Sequence, residues 1–241
     1  NNFLWNPIHQ MDVAQSHGCL VMKYRQDEKM CYAFPVGKGD KKAVIHEIIK
    51  ETEENKTSLI ITGMDKKESE WIQELFPEQF TIRSDRDYFD YIYNTEDLIH
   101  LSGKKYHGKR NHIARFRDHD WSYERISEEN IGECMEMLEI WKEKQAERWG
   151  EEREAEFIVV KEAFKWYSQL DLIGGLVRQE GSVVAFCIGE ELTADTFVVH
   201  FEKAFSDVQG AYPIINQQFV EQECQKYTYI NREEDAGEEG L

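Results

Sequence analysis

Apolar residues fall in two short alternating runs near the start of the chain, residues 19–25 (CLVMKYR) and 29–34 (KMCYAF). The polar Gln26-Asp27-Glu28 between them predicts a β-hairpin. After the break Gly37-Lys38-Gly39-Asp40 the period changes, and Val44, Ile45, Ile48 and Ile49 recur at the spacing of one helix face up to residue 54. The run SLIITG predicts a short buried strand, residues 69–76 a helix stopped by Pro77, and residues 88–93 an alternating strand. The first half therefore reads β-β-α-β-α-β.

The second half repeats this order with more in front of it. Residues 121–126 predict a strand, and Ser127 or Asn130 can cap a helix that carries Ile131, Cys134, Leu138 and Trp141 on one face. A second helix is expected over 154–169. The strands IGGLVRQ and SVVAFCIGE flank Glu180-Gly181, a two-residue hairpin signal, and DTFVVHFEKA adds a third strand. A helix from Gly210 turns Ile214, Ile215, Phe219 and Val220 inward, and YTYI at 227–230 is a strand. The order β-α-α-β-β-β-α-β is that of one compact α/β unit, and the first half reads as the same unit without its start. The expected division is a first unit over 1–102, a connector over 103–120, and a second unit over 121–241.

Composition adds bounds. The 241 residues are 41% hydrophobic, enough for one substantial core or two modest ones, and no run of about 18 apolar residues exists to span a bilayer. No signal-peptide pattern is present, although Asn1 is not a natural start, and the expected location is cytoplasmic. Cys19, Cys31, Cys134, Cys187 and Cys224 are odd in number and lie among apolar neighbours, which predicts reduced, buried thiols. The His residues show no metal-ligand spacing.

Charge changes the picture more. The formal net charge is −18, yet residues 104–117 (KKYHGKRNHIARFR) hold six Lys or Arg, two His and no carboxylate. A local anionic partner is one reading of this segment; a charged linker balanced by acids nearby in space is the other. Lys105, Lys109, Arg110 and Asn111 are the candidate phosphate contacts, because Arg forks match phosphate oxygens and Asn adds neutral donors. With only Tyr106 and Phe116 interleaved, extensive base stacking is not supported.

Further candidates lie in the second unit. Strand alternation puts His200 and Glu202 on one face, where His200 could act as general base with Glu202 orienting it, or both could be hydrogen-bonded for structure alone; Lys203 points the other way as a binding candidate. Gln209 and Gly210 precede a helix start that could hold a pyrophosphate, or simply enter the helix with Pro213 in its first turn. Asn231, Arg232 and Asp235 crowd onto one turn with Gly237 and Gly240; they could bind a phosphate and a substrate ammonium, or form a capped structural turn.

Four local sequences, KYHGKRNHI at 105–113, HFEKA at 200–204, Gly210-Ala211-Tyr212 and YINREEDAGEEGL at 229–241, occur in the order found in phosphatidylglycerol lysyltransferase C-terminal domains. The chain resembles soluble members of that family. The resemblance implies an α/β fold of two tandem GNAT-like units, each a mixed, mainly antiparallel sheet with flanking helices. It implies transfer of an acyl or aminoacyl group to a hydroxyl or amine acceptor, a small molecule or a lipid head, with the donor an aminoacyl-tRNA held by residues 104–117 or an acyl-CoA. Catalytic roles then fall to His200 and Glu202, and no metal is required. The multi-helix membrane portion of the membrane-attached members is absent, which weighs against phosphatidylglycerol as acceptor. The usual Gln/Arg-x-x-Gly-x-Gly/Ala of CoA users is reduced to Gln209-Gly210-Ala211. The motif from Asn231 is expected to continue past Leu241, leaving the second unit incomplete at its end. Two alternatives stand beside this reading: a non-catalytic binding module on a degenerate GNAT-like scaffold, and a CoA-dependent N-acetyltransferase.

Overall fold

The computed structural model describes residues 2–26, 29–145 and 150–234. The chain divides into two compact units, Asn1–Ser84 and Asp85–Leu241. In the first, α1 (Asn2–His9) and β1 (Asp12–Ser16) precede the expected strands β2 (Cys19–Gln26) and β3 (Lys29–Ala33). The turn at Asp27-Glu28 lies outside the described residues. Then come α2 (Lys41–Glu54), β4 (Ile60–Thr62) and α3 (Lys66–Leu75), and the sheet order is β1-β2-β3-β4 with only the β3–β4 pair parallel.

Helix α2 is where this core is organised. Its start is fixed by Asp40, whose carboxylate accepts from Ala43 N at 3.0 Å. Val44 and Ile48 enter one apolar cluster with Cys19 and Tyr32, while Ile45 enters another with Phe34, Ile72 and Phe76. Helix α3 begins with a reciprocal cap in which Asp65 and Glu68 bond each other's backbone N–H.

The second unit holds a six-stranded sheet in the order β5-β10-β9-β8-β7-β6. Its strands are β5 (Asp90–Asn94), β6 (Trp121–Arg125), β7 (Ile173–Gln179), β8 (Ser182–Thr193), β9 (Thr196–Ala204) and β10 (Tyr229–Glu234). Its helices are α4 (Thr95–His100), α5 (His107–Phe116), α6 (Ile131–Lys144), α7 (Glu151–Lys165) and α8 (Ala211–Glu223). The sheet is antiparallel except between β9 and β10. The β7–β8 hairpin turns at Glu180-Gly181, both at positive φ (50° and 79°), as a two-residue turn matched to strand twist demands.

Two features differ from the sequence reading. Residues 88–93, expected to close the first unit, supply β5, which pairs antiparallel with β10 at the edge of the second sheet, so the second unit begins at Asp85. The basic segment, expected as a connector over 103–120, folds within that unit as a 3-10 turn (Lys104–Tyr106) followed by α5. Helix α8 packs on β7, β8 and β9 with one side and on α4 and α5 with the other. That double contact explains why Ala211, Ile214, Ile215, Asn216, Gln218, Phe219 and Val220 are all buried. All five cysteines are buried and free. Among the described residues no helix is long and apolar enough to cross a membrane.

Candidate active site

The parallel strands β9 and β10 pair only from Thr196 to Val198 against Tyr229 to Asn231. Beyond that point β9 continues to Ala204 beside β8 alone, so the two strands separate and the sheet opens between them. Side chains, not backbone, fill the opening.

On the face toward α8, Glu202 stands opposite Cys187 of β8. Its carboxylate is 8% exposed; Oε1 accepts from Arg232 Nη2 at 3.0 Å, and Oε2 accepts from Asn216 Nδ2 of α8 at 3.1 Å. The Glu202 charge is the main cause that raises the Arg232 pKa. Lys109 of α5 is close enough to feel both: partial desolvation, and then Arg232, lower its pKa, and Glu202 opposes them. Although the Lys109 side chain is exposed, it makes no ion pair or hydrogen bond among the described residues. Burial pushes the Cys187 thiol well above its ordinary range, which makes it a packed apolar neighbour here and not a nucleophile.

His200 is not part of this group, against the expectation that it shares a face with Glu202. On β8, Ile188 pairs with Phe201 and Gly189 with Val199, which leaves His200 as an extra residue on β9, a β-bulge. The bulge breaks the two-residue alternation between 200 and 202. His200 Nδ1 lies 2.8 Å from Glu233 Oε1 of β10 and Nε2 lies 2.9 Å from Glu190 Oε1 of β8, with the side chain 2% exposed. Two carboxylates, one on each ring nitrogen, favour the doubly protonated imidazolium form of His200. Burial lowers the His200 pKa, but the bonds from Glu190 and Glu233 outweigh it and the net shift is upward. The imidazolium ties β8 to the diverging β10.

The remaining expected residues have assignable partners, with few exceptions. Lys203 faces away from α8; it is 7% exposed, ion-paired with Glu156 of α7, and 4.7 Å from the Trp141 ring centre. Asn231 stitches β10 to its neighbours, donating to Asp90 Oδ2 at 2.7 Å and accepting from Glu233 N at 2.7 Å. In the basic motif, Lys105 lies 3.7 Å from Asp97 and over Tyr106, Arg110 donates to the Leu101 and Gly103 carbonyls, and Asn111 lies 3.2 Å from His107. Gln209 is exposed. Asp235, with Gly237 and Gly240, lies outside the described residues.

Gly210 bears on the pyrophosphate expectation for the α8 entry. It has φ +88°, and a Cβ there would sit 2.4 Å from the His112 carbonyl oxygen and 3.0 Å from Phe116 Cβ. The backbone of α5 therefore lies directly against the residue that enters α8. Sequence reasoning missed Asn216, Glu190 and Glu233. Asn216 carried one signal, a polar residue directly after the inward-facing Ile214 and Ile215.

Two mixed sheets with flanking helices, and a parallel strand pair that separates beside a crossover helix, define a GNAT-like fold. The model of the family described as "Phosphatidylglycerol lysyltransferase, C-terminal" matches residues 1–241, and the chain belongs to that family. It is similar to a conserved protein of unknown function from Bacteroides thetaiotaomicron, at 36% identity over 100% of this chain and 82% of that one, with a TM-score of 0.92. It shares its fold with the C-terminal domain of a putative lysylphosphatidylglycerol synthetase from Agrobacterium fabrum (13% identity, TM-score 0.63, 96% of this chain and 73% of that one). A lysylphosphatidylglycerol synthase from Bacillus licheniformis shares it too (16% identity, TM-score 0.63, 93% and 70%). No curated protein matches the chain.

Proposed function

We propose that this protein transfers an acyl or aminoacyl group from an activated ester to a hydroxyl or amine acceptor, with the reaction seated where β9 and β10 separate. The observation that carries the reading is the Glu202–Arg232 pair in that opening, 3.0 Å apart, with Lys109 electrostatically coupled to both. Attack on an ester carbonyl puts negative charge on the carbonyl oxygen, and the catalytic need is a fixed cation beside it. Arg232 suits that task because Glu202 and Asn216 fix the geometry from the other side. Lys109 holds its proton less tightly than a free lysine, which suits it to give that proton to the departing alkoxide and to be recharged by the proton the acceptor releases on attack. Glu202, with both oxygens engaged, acts as a positioning residue. His200, with both ring nitrogens engaged, supports the sheet and not the proton transfer first expected of it.

Between the two donors, the packing of α5 on the α8 entry at Gly210 disfavours a CoA diphosphate and supports an aminoacyl-tRNA, as the family resemblance implies. Incubation with lysyl-tRNA, alanyl-tRNA or acetyl-CoA and a panel of hydroxyl and amine acceptors tests this. Expected is transfer from an aminoacyl-tRNA, lowered about 10²-fold or more by Arg232→Ala, the scale seen when an oxyanion donor is removed. Absence of binding and transfer with every donor would overturn the reading and favour a binding module.

A further inference from the structure

The six-stranded sheet of the second unit ends on β5 at one side and on β6 at the other, and the two edges differ in character. An edge strand presents a row of N–H and C=O groups that another strand can use, and charges or prolines normally guard it. On β6, Glu124 is bonded to Arg178 at 2.7 Å and Arg125 pairs with Glu223 at 3.5 Å. β5 (DYIYN) has no lysine, arginine or proline, and its central Ile92 is 61% exposed. Tyr88 and Phe89, immediately before it, are more than half exposed as well.

The outer row of β5 follows from its inner one. Thr95 N donates to the Thr228 carbonyl at 3.0 Å, and Tyr93 stands opposite Ile230 of β10. Alternation then turns the backbone groups of Tyr91 and Tyr93 toward β10 and the amides of Asp90, Ile92 and Asn94 outward. Among the described residues no strand takes up that outer side.

An antiparallel strand of the same sequence fits this row. A two-fold axis through Ile92 is the one register that overlaps all five residues. It sets Ile92 opposite Ile92 of the second copy, with both backbone bonds exchanged, and Tyr91 opposite Tyr93. Asp90 then meets Asn94, a carboxylate against a neutral amide that can donate to it, so no like charges are opposed. Tyr229 of β10, part-exposed and diagonal to Ile92, extends the apolar strip on the same face of the sheet.

We propose that β5 pairs with β5 of a second copy of this chain, joining two sheets into one across a two-fold axis. Five residues a side fall short of the roughly 1,000 Å² of a permanent interface, so the dimer is a weak one, with a Kd of about 10–500 μM.

Sedimentation velocity of the purified protein over a concentration series spanning that range tests it. Wild type is expected to shift from monomer to dimer, and Ile92→Lys, which opposes two like charges at the axis, to weaken association at least tenfold. Asn94 makes no side-chain capping bond at α4, so charge can be placed there without disturbing the helix. Asn94→Asp, facing Asp90, is expected to weaken the dimer, and Asn94→Lys to tighten it. Ile140→Lys adds the same charge at an exposed site on α6 and is expected to stay within twofold of wild type. Amide exchange of wild type provides a measurement that needs no variant: the Ile92 N–H is expected to gain protection as concentration rises. A monomer throughout the series, a dimer indifferent to Ile92→Lys, or Asn94 variants that move in the same direction overturns the proposal. No donor or acceptor is involved, so this proposal and the transfer reading fail separately.

Discussion

The guanidinium of Arg232 and the carboxylate of Glu202 meet at 3.0 Å from two parallel strands that no longer hydrogen-bond to each other at that level. The ion pair therefore replaces backbone pairing as the link between β9 and β10, and Asn216 fixes it to α8. Removing one partner leaves a largely buried charge without its counterpart. Arg232→Ala or Glu202→Ala should each destabilise the fold by about 2–3 kcal/mol, below the full cost for a buried pair because Arg232 is part-exposed. Glu202→Gln combined with Arg232→Met should recover much of that loss in urea titration. Strict additivity of the two changes would show that the residues are not coupled.

His200 makes a prediction about pH. Its folded pKa is raised above 6.5 because the bonds to Glu190 and Glu233 outweigh burial, so its stabilisation is fully present below about pH 6.5 and is lost as pH rises through the folded value. The Glu190 pKa is lowered, chiefly by the bond from His200, so that contribution is lost as pH falls through the carboxylate range. The advantage of wild type over His200→Gln should therefore peak at mildly acidic pH and shrink steadily toward pH 9. Unfolding midpoints of both proteins across that range provide the measurement. An advantage that grows with pH would mean that the ring is neutral in the folded protein.

How much was legible in the sequence depended on whether a signal was local. The β7–β8 hairpin, helix α2 and the inward face of α8 each follow from signals within one segment, and the α/β class followed with them, whereas the GNAT-like form came from the family resemblance. The bulge at His200 did not, because it consists of a mismatch in residue count between β8 and β9, and neither strand alone records it. Likewise the placement of β5 depends on its partner β10, more than a hundred residues away in sequence, so an alternating strand at 88–93 fitted either sheet. Helix α5 was obscured because only Ile113 and Phe116 anchor it while its other positions are polar or small. Of the candidate site, Lys109, Glu202 and Arg232 were named from sequence and lie together; Asn216 completes the group through a fold contact that no local pattern encodes.

Gly210 and Gly132 should respond in opposite directions to the same substitution. At Gly210 an alanine would meet the His112 carbonyl at 2.4 Å and be held at φ +88°, a conformation that alone costs an L-residue about 1–2 kcal/mol. At Gly132, inside α6 with nothing within 4 Å of the added carbon, alanine should stabilise by about 0.5 kcal/mol. Thermal melts of the two variants check this. If Gly210→Ala melts with wild type, α5 does not press on the α8 entry, and the argument against a CoA diphosphate weakens with it.

Neighbouring cations in α5 should separate into those that serve the fold and those left for a ligand. Arg110 satisfies the carbonyls of Leu101, which is buried, and Gly103, and the loss of charged hydrogen bonds in Arg110→Ala should cost about 1.5–3 kcal/mol. Lys109 has no such bonds among the described residues, so Lys109→Ala should leave stability within about 0.5 kcal/mol of wild type. In the transfer assay the order should invert for the part of the effect not explained by unfolding, with Lys109→Ala lowering the rate at least tenfold at full folding. Lys109→Arg keeps the charge but holds its proton far more tightly. Rescue by arginine would therefore make Lys109 an electrostatic residue, whereas failure to rescue in a protein of unchanged stability would assign it the proton transfer to the leaving hydroxyl. If Lys109→Ala has wild-type activity, the reacting carbonyl does not lie on the α8 face of the opening.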